Sequence, residues 1–235
     1  MSKNDEATLP TVVPVAPPTN ALTWQQTKSH LTRTTILDAA VSVIYDLGYA
    51  NTTTEAVARR AGVSRGAMLH HFPNRQQLIE ATVLHLNEQR LSMFAREESE
   101  VQKGAEYSRV EEGIDTLWRQ LNTPNFIVFQ ELKMASRTDS QLAGVLLPAL
   151  KEFDACMLDA TREIFPDLAL SESFTRANYL AGLILEGLAT ARMIDGPEIP
   201  VEMMLDWLKR ELRRSFGDVL GTVPRSAAES KLGEK

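Results

Sequence analysis

Apolar residues recur at helical spacing along almost the whole chain. In residues 32–47, Ile36, Leu37, Ala40, Val41, Ile44 and Leu47 form one stripe, the pattern of a helix buried along one side. Gly48 stops that helix, and Tyr49 can fold back over the stripe. Residues 52–78 then read as helix, tight turn, helix, stop and new helix. Ala56, Val57 and Ala61 give the first short helix a small apolar face. Gly62 stands where the chain must turn, since glycine takes positive φ without steric cost. Val63 can plug the turn. Ser64 can cap the second short helix by accepting an orphan backbone N–H. That helix ends near Phe72, because Pro73 disfavours the helical conformation in the residue before it. Thr53 can cap the first helix. A capping box of Thr52 with Glu55 would shift its start by one residue. Two short helices around a Gly-containing turn make a helix-turn-helix, whose second helix enters a DNA major groove.

The pattern stays helical downstream. A longer helix begins at Pro73 or Asn74, carries Leu78, Ile79, Thr82, Val83, Leu86 and Leu91 on one side, and runs to about Glu98. The polar stretch 99–104 reads as a loop. Helices follow over residues 107–121, 124–137, 139–165, 171–194 and 200–220. Pro124 suits a first turn, Ser171 suits a cap, and Pro148 predicts a kink or break inside its helix. Residues 1–23 hold four prolines among Thr, Val, Ala and Asn and read as a disordered arm, with a partner-docking or DNA-contacting arm as the alternative. Residues 221–235 read as a disordered tail. No strand alternation and no internal repeat is visible, so the fold class is all-α.

The 235 residues suffice for a small domain and a larger one. The single cysteine, Cys156, excludes a disulfide within the chain, and no Cys/His cluster has metal-ligand spacing. No run approaches the roughly 20 apolar residues that span a bilayer, and no secretory signal is legible. The expectation is a cytoplasmic protein with no membrane association, no metal and no cofactor.

Charge changes this picture in one place. The net charge is −6, yet Lys28, Arg33, Arg59, Arg60, Arg65 and Arg75 face only Asp38, Asp46 and Glu55 between residues 28 and 75. His30, His70 and His71 lie there too. DNA binding needs a local basic face rather than a basic protein, and the acidic remainder discourages docking elsewhere.

Thr53, the A-x-x-A-G-V-S turn from Ala58 to Ser64, R-G, H-H-F-P and the following N-R-x-x-L resemble the TetR family of bacterial transcription regulators. I-L-x-A-A followed by L-G-Y extends the likeness back to about Arg33. Leu69 departs from the family, where tyrosine is common. The resemblance implies an N-terminal three-helix helix-turn-helix bundle (24–75) joined by a connecting helix to a larger helical ligand-binding and dimerisation domain (76–220). It also implies a homodimer that reads adjacent major-groove faces of a pseudo-palindromic double-stranded DNA operator, most often as a repressor. A small-molecule ligand would move the connecting helix and release DNA.

The candidate DNA contacts are Arg33, Thr53, Ser64, Arg65, Gly66, Ala67, His70 and Arg75. Arg65 can reach phosphate or a guanine edge, Ala67 a thymine methyl, and Gly66 lets backbone approach closely. His70 shares their side. Arg33 and Arg75 are candidate phosphate clamps, with plain surface charge as the alternative. His71 is open between DNA contact and packing, and Phe72 reads as core. Candidate pocket residues are Trp118, Phe126, Phe129, Gln130, Lys133, Met134, Phe153, Met157, Asn178 and Tyr179, a mixture that suits a cavity and equally an ordinary core. An inward Lys133 or Arg137 would attract an anionic ligand, unless Glu131 is its structural partner. Ala177, Ala181, Gly182, Gly187, Ala189 and Ala191 thin one helix, which suits close packing across a dimer axis or within one subunit, as does the Leu/Met stripe of the last helix. No nucleophile–base pair or phosphate loop is legible, so no enzyme is expected. The rival to ligand response is a C-terminal domain that only dimerises or binds a protein partner.

Overall fold

The stripe predicted for residues 32–47 belongs to a longer helix, α1 (Trp24–Leu47). Residues 24–31 contain no proline or glycine. Thr32 and Thr35 turn their hydroxyls onto the carbonyls of Lys28 and Leu31, so the polar segment continues the helix with almost no buried face. The computed structural model describes residues 24–101, 106–166, 170–194, 196 and 198–220. The arm at 1–23 and the tail at 221–235 lie outside the described residues. Among those described, nine α-helices and no strand occur. After α1 come α2 (Thr54–Ala61), α3 (Arg65–His71), α4 (Arg75–Val101), α5 (Glu106–Leu121), α6 (Pro124–Ala135), α7 (Ser140–Ile164), α8 (Glu172–Ala191) and α9 (Val201–Leu220).

The structure departs from the sequence reading at several points, and α6 ends at Ala135 rather than 137. α4 continues through Ser99 to Val101 instead of ending near Glu98, because polar residues without Gly or Pro do not stop a helix. α7 passes unbroken through Pro148. The proline is solvent-exposed, and its missing N–H forgoes only the bond toward Gly144. α8 ends at Ala191, where Arg192 and Met193 donate back to Ala189 and Thr190 at 3.2 and 3.1 Å, the tighter i→i−3 pattern of a closing turn.

Three cores organise the helices. The first joins α1, α2, α3 and the start of α4 through Ile36, Ala40, Val43, Val57, Met68, Phe72 and Leu78. The second joins α1 and α4 to α6 and α7 through Val41, Ile44, Ile79, Val83, Leu86, Val128, Leu132 and Leu146. The third gathers Ile114, Leu121, Phe126, Phe174, Leu185, Leu205, Leu208 and Leu212 from α5, α6, α8 and α9. Each fully buried Leu, Ile or Phe contributes about 1.5–3 kcal/mol. α1 and α4 serve both of the first two cores, so the small N-terminal bundle is packed directly on the body. The buried side of α9, Leu205, Leu208 and Leu212, lies inside the subunit, as do Ala181 and Ala189. They are therefore not the residues left free to meet another copy.

Candidate nucleic-acid interface and ligand cavity

Local chemistry sets the helix-turn-helix. Thr53 is the α2 N-cap, accepting the Ala56 N–H at 3.1 Å, so the alternative start at Thr52 is not used. Thr52 is instead buried and donates to Gly48 O. Gly62 closes α2 at φ 67°, donating to Arg59 O, while the Val63 N–H reaches Ala58 O at 3.0 Å. This paired capping satisfies the last carbonyls of the helix. Ser64 then accepts the Ala67 N–H at 3.1 Å and starts α3.

On α3, Met68 is buried, whereas Arg65, Gly66, Leu69 and His70 are exposed and Ala67 is half-buried. Within the protein, a Cβ at Gly66 would meet nothing closer than Ser64 Oγ at 3.9 Å. Thr53 and Ser64 accept in their caps but keep their O–H groups as donors. Arg33 lies over the Phe72 ring, its guanidinium carbon 4.9 Å from the centroid. Phe72 is core, as expected. His71 is half-buried, and its pKa is lowered by burial, then by the fields of His70 and Arg33. Arg60 pairs with Asp46 at 2.7 Å and also bonds Ser42.

Arg75 is placed differently from a surface clamp. Its Nε donates to Thr52 O at 2.7 Å and its Nη2 to Tyr49 O at 2.6 Å, with the guanidinium stacked 4.5 Å from the Tyr49 ring centroid. It holds the turn between α1 and α2 against α4. Tyr49 extends the junction. Its N–H donates to Glu131 of α6, and its hydroxyl donates to Asp139 at 2.6 Å. Glu131 is thus the partner of this turn rather than of Lys133. Burial, then the bond to Asp139, raises the Tyr49 pKa. Asp139 also caps α7, and the Leu142 N–H, then the Tyr49 hydroxyl, lowers its pKa.

A cavity of about 430 Å³ lies between α4, α5, α6, α7 and α8. Seven of the ten predicted pocket residues line it: Phe126, Phe129, Lys133, Phe153, Met157, Asn178 and Tyr179. The other three do not. Trp118 packs beside the α5–α8–α9 core, with Arg192 5.8 Å from its ring. Met134 is 60% exposed. Gln130 only reaches the cavity wall, at 3.5 Å from Glu186. Arg137 is exposed, whereas Lys133 pairs with Glu186 at 3.5 Å.

The sequence reading missed the central cation of this cavity. Arg90 of α4 is sandwiched between Phe129 and Phe153, its guanidinium carbon 3.7 and 3.9 Å from the two ring centroids. Its Nη1 is buried without a hydrogen-bond partner. Burial lowers its pKa to about 10, with Glu186 and Asp154 acting the other way, so it stays cationic at neutral pH. The available signal was its spacing, since Leu86, Arg90, Met93 and Phe94 share one side of α4. A second cavity of about 110 Å³ shares the walls Leu117, Gln120, Met157 and Asn178 with the first. Among the described residues, no cluster of three or more His, Cys, Asp or Glu converges to hold a metal, and no helix is long and apolar enough to cross a membrane.

An all-helical body bearing a capped, exposed helix-turn-helix defines a transcription regulator of the helix-turn-helix class. Residues 36–82 match the family described as "Bacterial regulatory proteins, tetR family". The HTH-type transcriptional regulator Rv2912c of Mycobacterium tuberculosis is 28% identical over 182 residues, covering 74% of this chain and 90% of that one. The regulator TtgR of Pseudomonas putida is 39% identical over 72 residues, covering 30% of this chain and 34% of that one. A TetR-family regulator from Mesorhizobium loti shares the fold at a TM-score of 0.60 and 19% identity, over 83% of this chain and 97% of that one. Residues 36–82 thus carry a TetR-family helix-turn-helix domain, and the chain is a transcription regulator of TetR type.

Proposed function

We propose that the protein is a dimeric repressor, released from a pseudo-palindromic operator by a small-molecule ligand. Residues 24–75 act as the reading unit and 76–220 as the sensing and dimerising body. The observation that carries this reading is the double duty of α4. Its first turns supply Leu78 to the core beneath the recognition helix, and its later turns supply Arg90 and Met93 to the cavity wall. A ligand that shifts α4 at the cavity shifts the reading unit with it. The open 430 Å³ cavity favours this over a body that only dimerises, since it lies in the volume range of small-molecule sites.

On DNA, Arg65, Gly66, Ala67 and His70 meet the groove, while Arg33 and the hydroxyls of Thr53 and Ser64 meet phosphates. Dimerisation uses the exposed apolar faces of α8 and α9. The cytoplasm is the compartment that suits this activity. The test starts with selection of bound fragments from the organism's own genome, followed by gel-shift titration on the recovered site. Arg65→Ala is expected to weaken binding and to lower the log–log salt slope by roughly 0.9 per lost phosphate contact, with an unchanged melting temperature. Arg75→Ala is expected to lower the melting temperature instead, because it strips partners from the carbonyls of Tyr49 and Thr52. Full operator affinity in Arg65→Ala would remove that residue from the interface.

A further inference from the structure

The 430 Å³ cavity has an apolar body and one unsatisfied cation. Beside Arg90, the wall of α4, α6 and α7 carries the apolar side chains Met93, Phe126, Phe129, Phe153 and Met157, together with the charged Lys133 and Asp154. The two phenyl rings cover both faces of the Arg90 guanidinium. Stacking uses the π faces and leaves the N–H donors directed outward in the guanidinium plane. Nη1 is shielded from water and has no hydrogen-bond partner among the described residues.

The neighbouring carboxylates do not fill this role. Glu186 is engaged with Lys133 and Gln130, both at 3.5 Å. Asp154 is solvent-exposed, so its field is screened. Neither forms an ion pair with Arg90. A buried guanidinium without an acceptor is costly, and an incoming anion relieves that cost. The planar fork matches a carboxylate, which it can bind bidentately.

We propose that the cavity takes an organic carboxylate with an apolar alkyl or aryl body, its carboxylate on Arg90 and its body among Phe126, Phe129, Phe153 and Met157. This rests on the ligand-responsive reading above and narrows it to one charge class. The Lys133–Glu186 pair is neutral overall, and the remaining lining carboxylate, Asp154, is solvent-exposed and screened, so the shielded Arg90 is the charge that selects.

The test uses the full-length protein and calorimetric titration with two isosteric series. These are 4-phenylbutyrate, 4-phenylbutanamide and 4-phenylbutylammonium, and octanoate, octanamide and octylammonium. Wild type is expected to bind the carboxylate of at least one series roughly 10- to 100-fold more tightly than its amide, the range of a charge-assisted hydrogen bond. The ammonium is expected to bind weakest. Arg90→Met keeps an apolar stem between the two rings. It is expected to keep a native melting temperature while the carboxylate-over-amide affinity ratio falls toward one. If Arg90→Met fails to fold, the order of the three probes on wild type still decides. Equal binding of acid and amide, or tighter binding of the ammonium, overturns the carboxylate assignment and leaves a ligand-binding cavity standing. If no probe of either series binds, the ligand-responsive reading falls and this proposal with it.

Discussion

Two arginines show how position alone decides what a charge does. Arg65 and Arg75 stand at the starts of successive helices in the most basic part of the chain. Arg65 is exposed. Arg75 is spent on the carbonyls of Tyr49 and Thr52, residues 26 and 23 positions away. Asp139 is the acidic counterpart of this junction. It accepts the N–H groups of Gln141 and Leu142 at 3.1 and 3.0 Å and the Tyr49 hydroxyl at 2.6 Å. All three bonds favour its ionised form and lower its pKa in the folded protein. The linkage sign follows directly. The contribution is fully present above the unfolded-state value, near 3.9, and is lost as pH falls through the lower folded-state value. Asp139→Ala is therefore expected to cost about 1 kcal/mol at neutral pH, the usual cost of losing a cap. The difference from wild type in urea unfolding should shrink below about pH 4. A gap that stays constant to pH 2 would mean that the carboxylate's charge contributes nothing there.

At the scale of elements, the turns carry different loads. Gly62 and Gly48 both have positive φ, 67° and 84°. A Cβ at Gly62 would meet nothing within 4 Å, whereas one at Gly48 would lie 2.9 Å from Glu131 Oε1. Gly62→Ala is expected to cost about 1 kcal/mol of backbone strain. Gly48→Ala adds a collision with the carboxylate that receives the Tyr49 N–H, so it is expected to cost more. In the double variant with Glu131→Ala the steric part is absent, and the two changes should be measurably non-additive by chemical denaturation. Strict additivity would show that Glu131 moves aside freely. These elements also show where sequence reading succeeds. Thr53, Gly62, Ser64 and Pro73 act on neighbours within a few residues, so the helix-turn-helix was legible from caps and breakers. The roles of Arg75, Glu131 and Arg90 were not, because their partners lie far away in the chain, in the α1–α2 turn for the first two and on α6 and α7 for Arg90. The cavity was legible in part for the same reason. Phe126 and Phe129 share a face by spacing, but whether that face meets a void or a packed core depends on how α4, α7 and α8 approach it.

For the whole molecule, the decisive feature is the apolar surface left on α8 and α9. Leu180 and Leu183 are 58% and 60% exposed, Met203 58% and Trp207 50%, with Tyr179, Ile184 and Met204 beside them in sequence. Apolar residues gathered on two helices mark an association surface more strongly than scattered ones do. Tyr179 and Leu183 also line the 430 Å³ cavity, so α8 is at once a wall of that cavity and part of the proposed interface. A second copy seated on α8 would cover the side of the cavity that one subunit leaves to solvent. This links dimerisation, ligand retention and the spacing of two reading units in one assembly. Leu180 and Trp207 lie outside the cavity lining, so Leu180→Glu with Trp207→Glu tests the interface without touching the cavity. The pair is expected to shift the sedimentation coefficient from dimer to monomer. Affinity for a two-half-site operator should fall by roughly 10²- to 10⁴-fold, the usual range of lost avidity, while affinity for a single half-site stays unchanged. A variant that still sediments as a dimer would place the interface elsewhere. A monomer that keeps full operator affinity would show that one reading unit suffices.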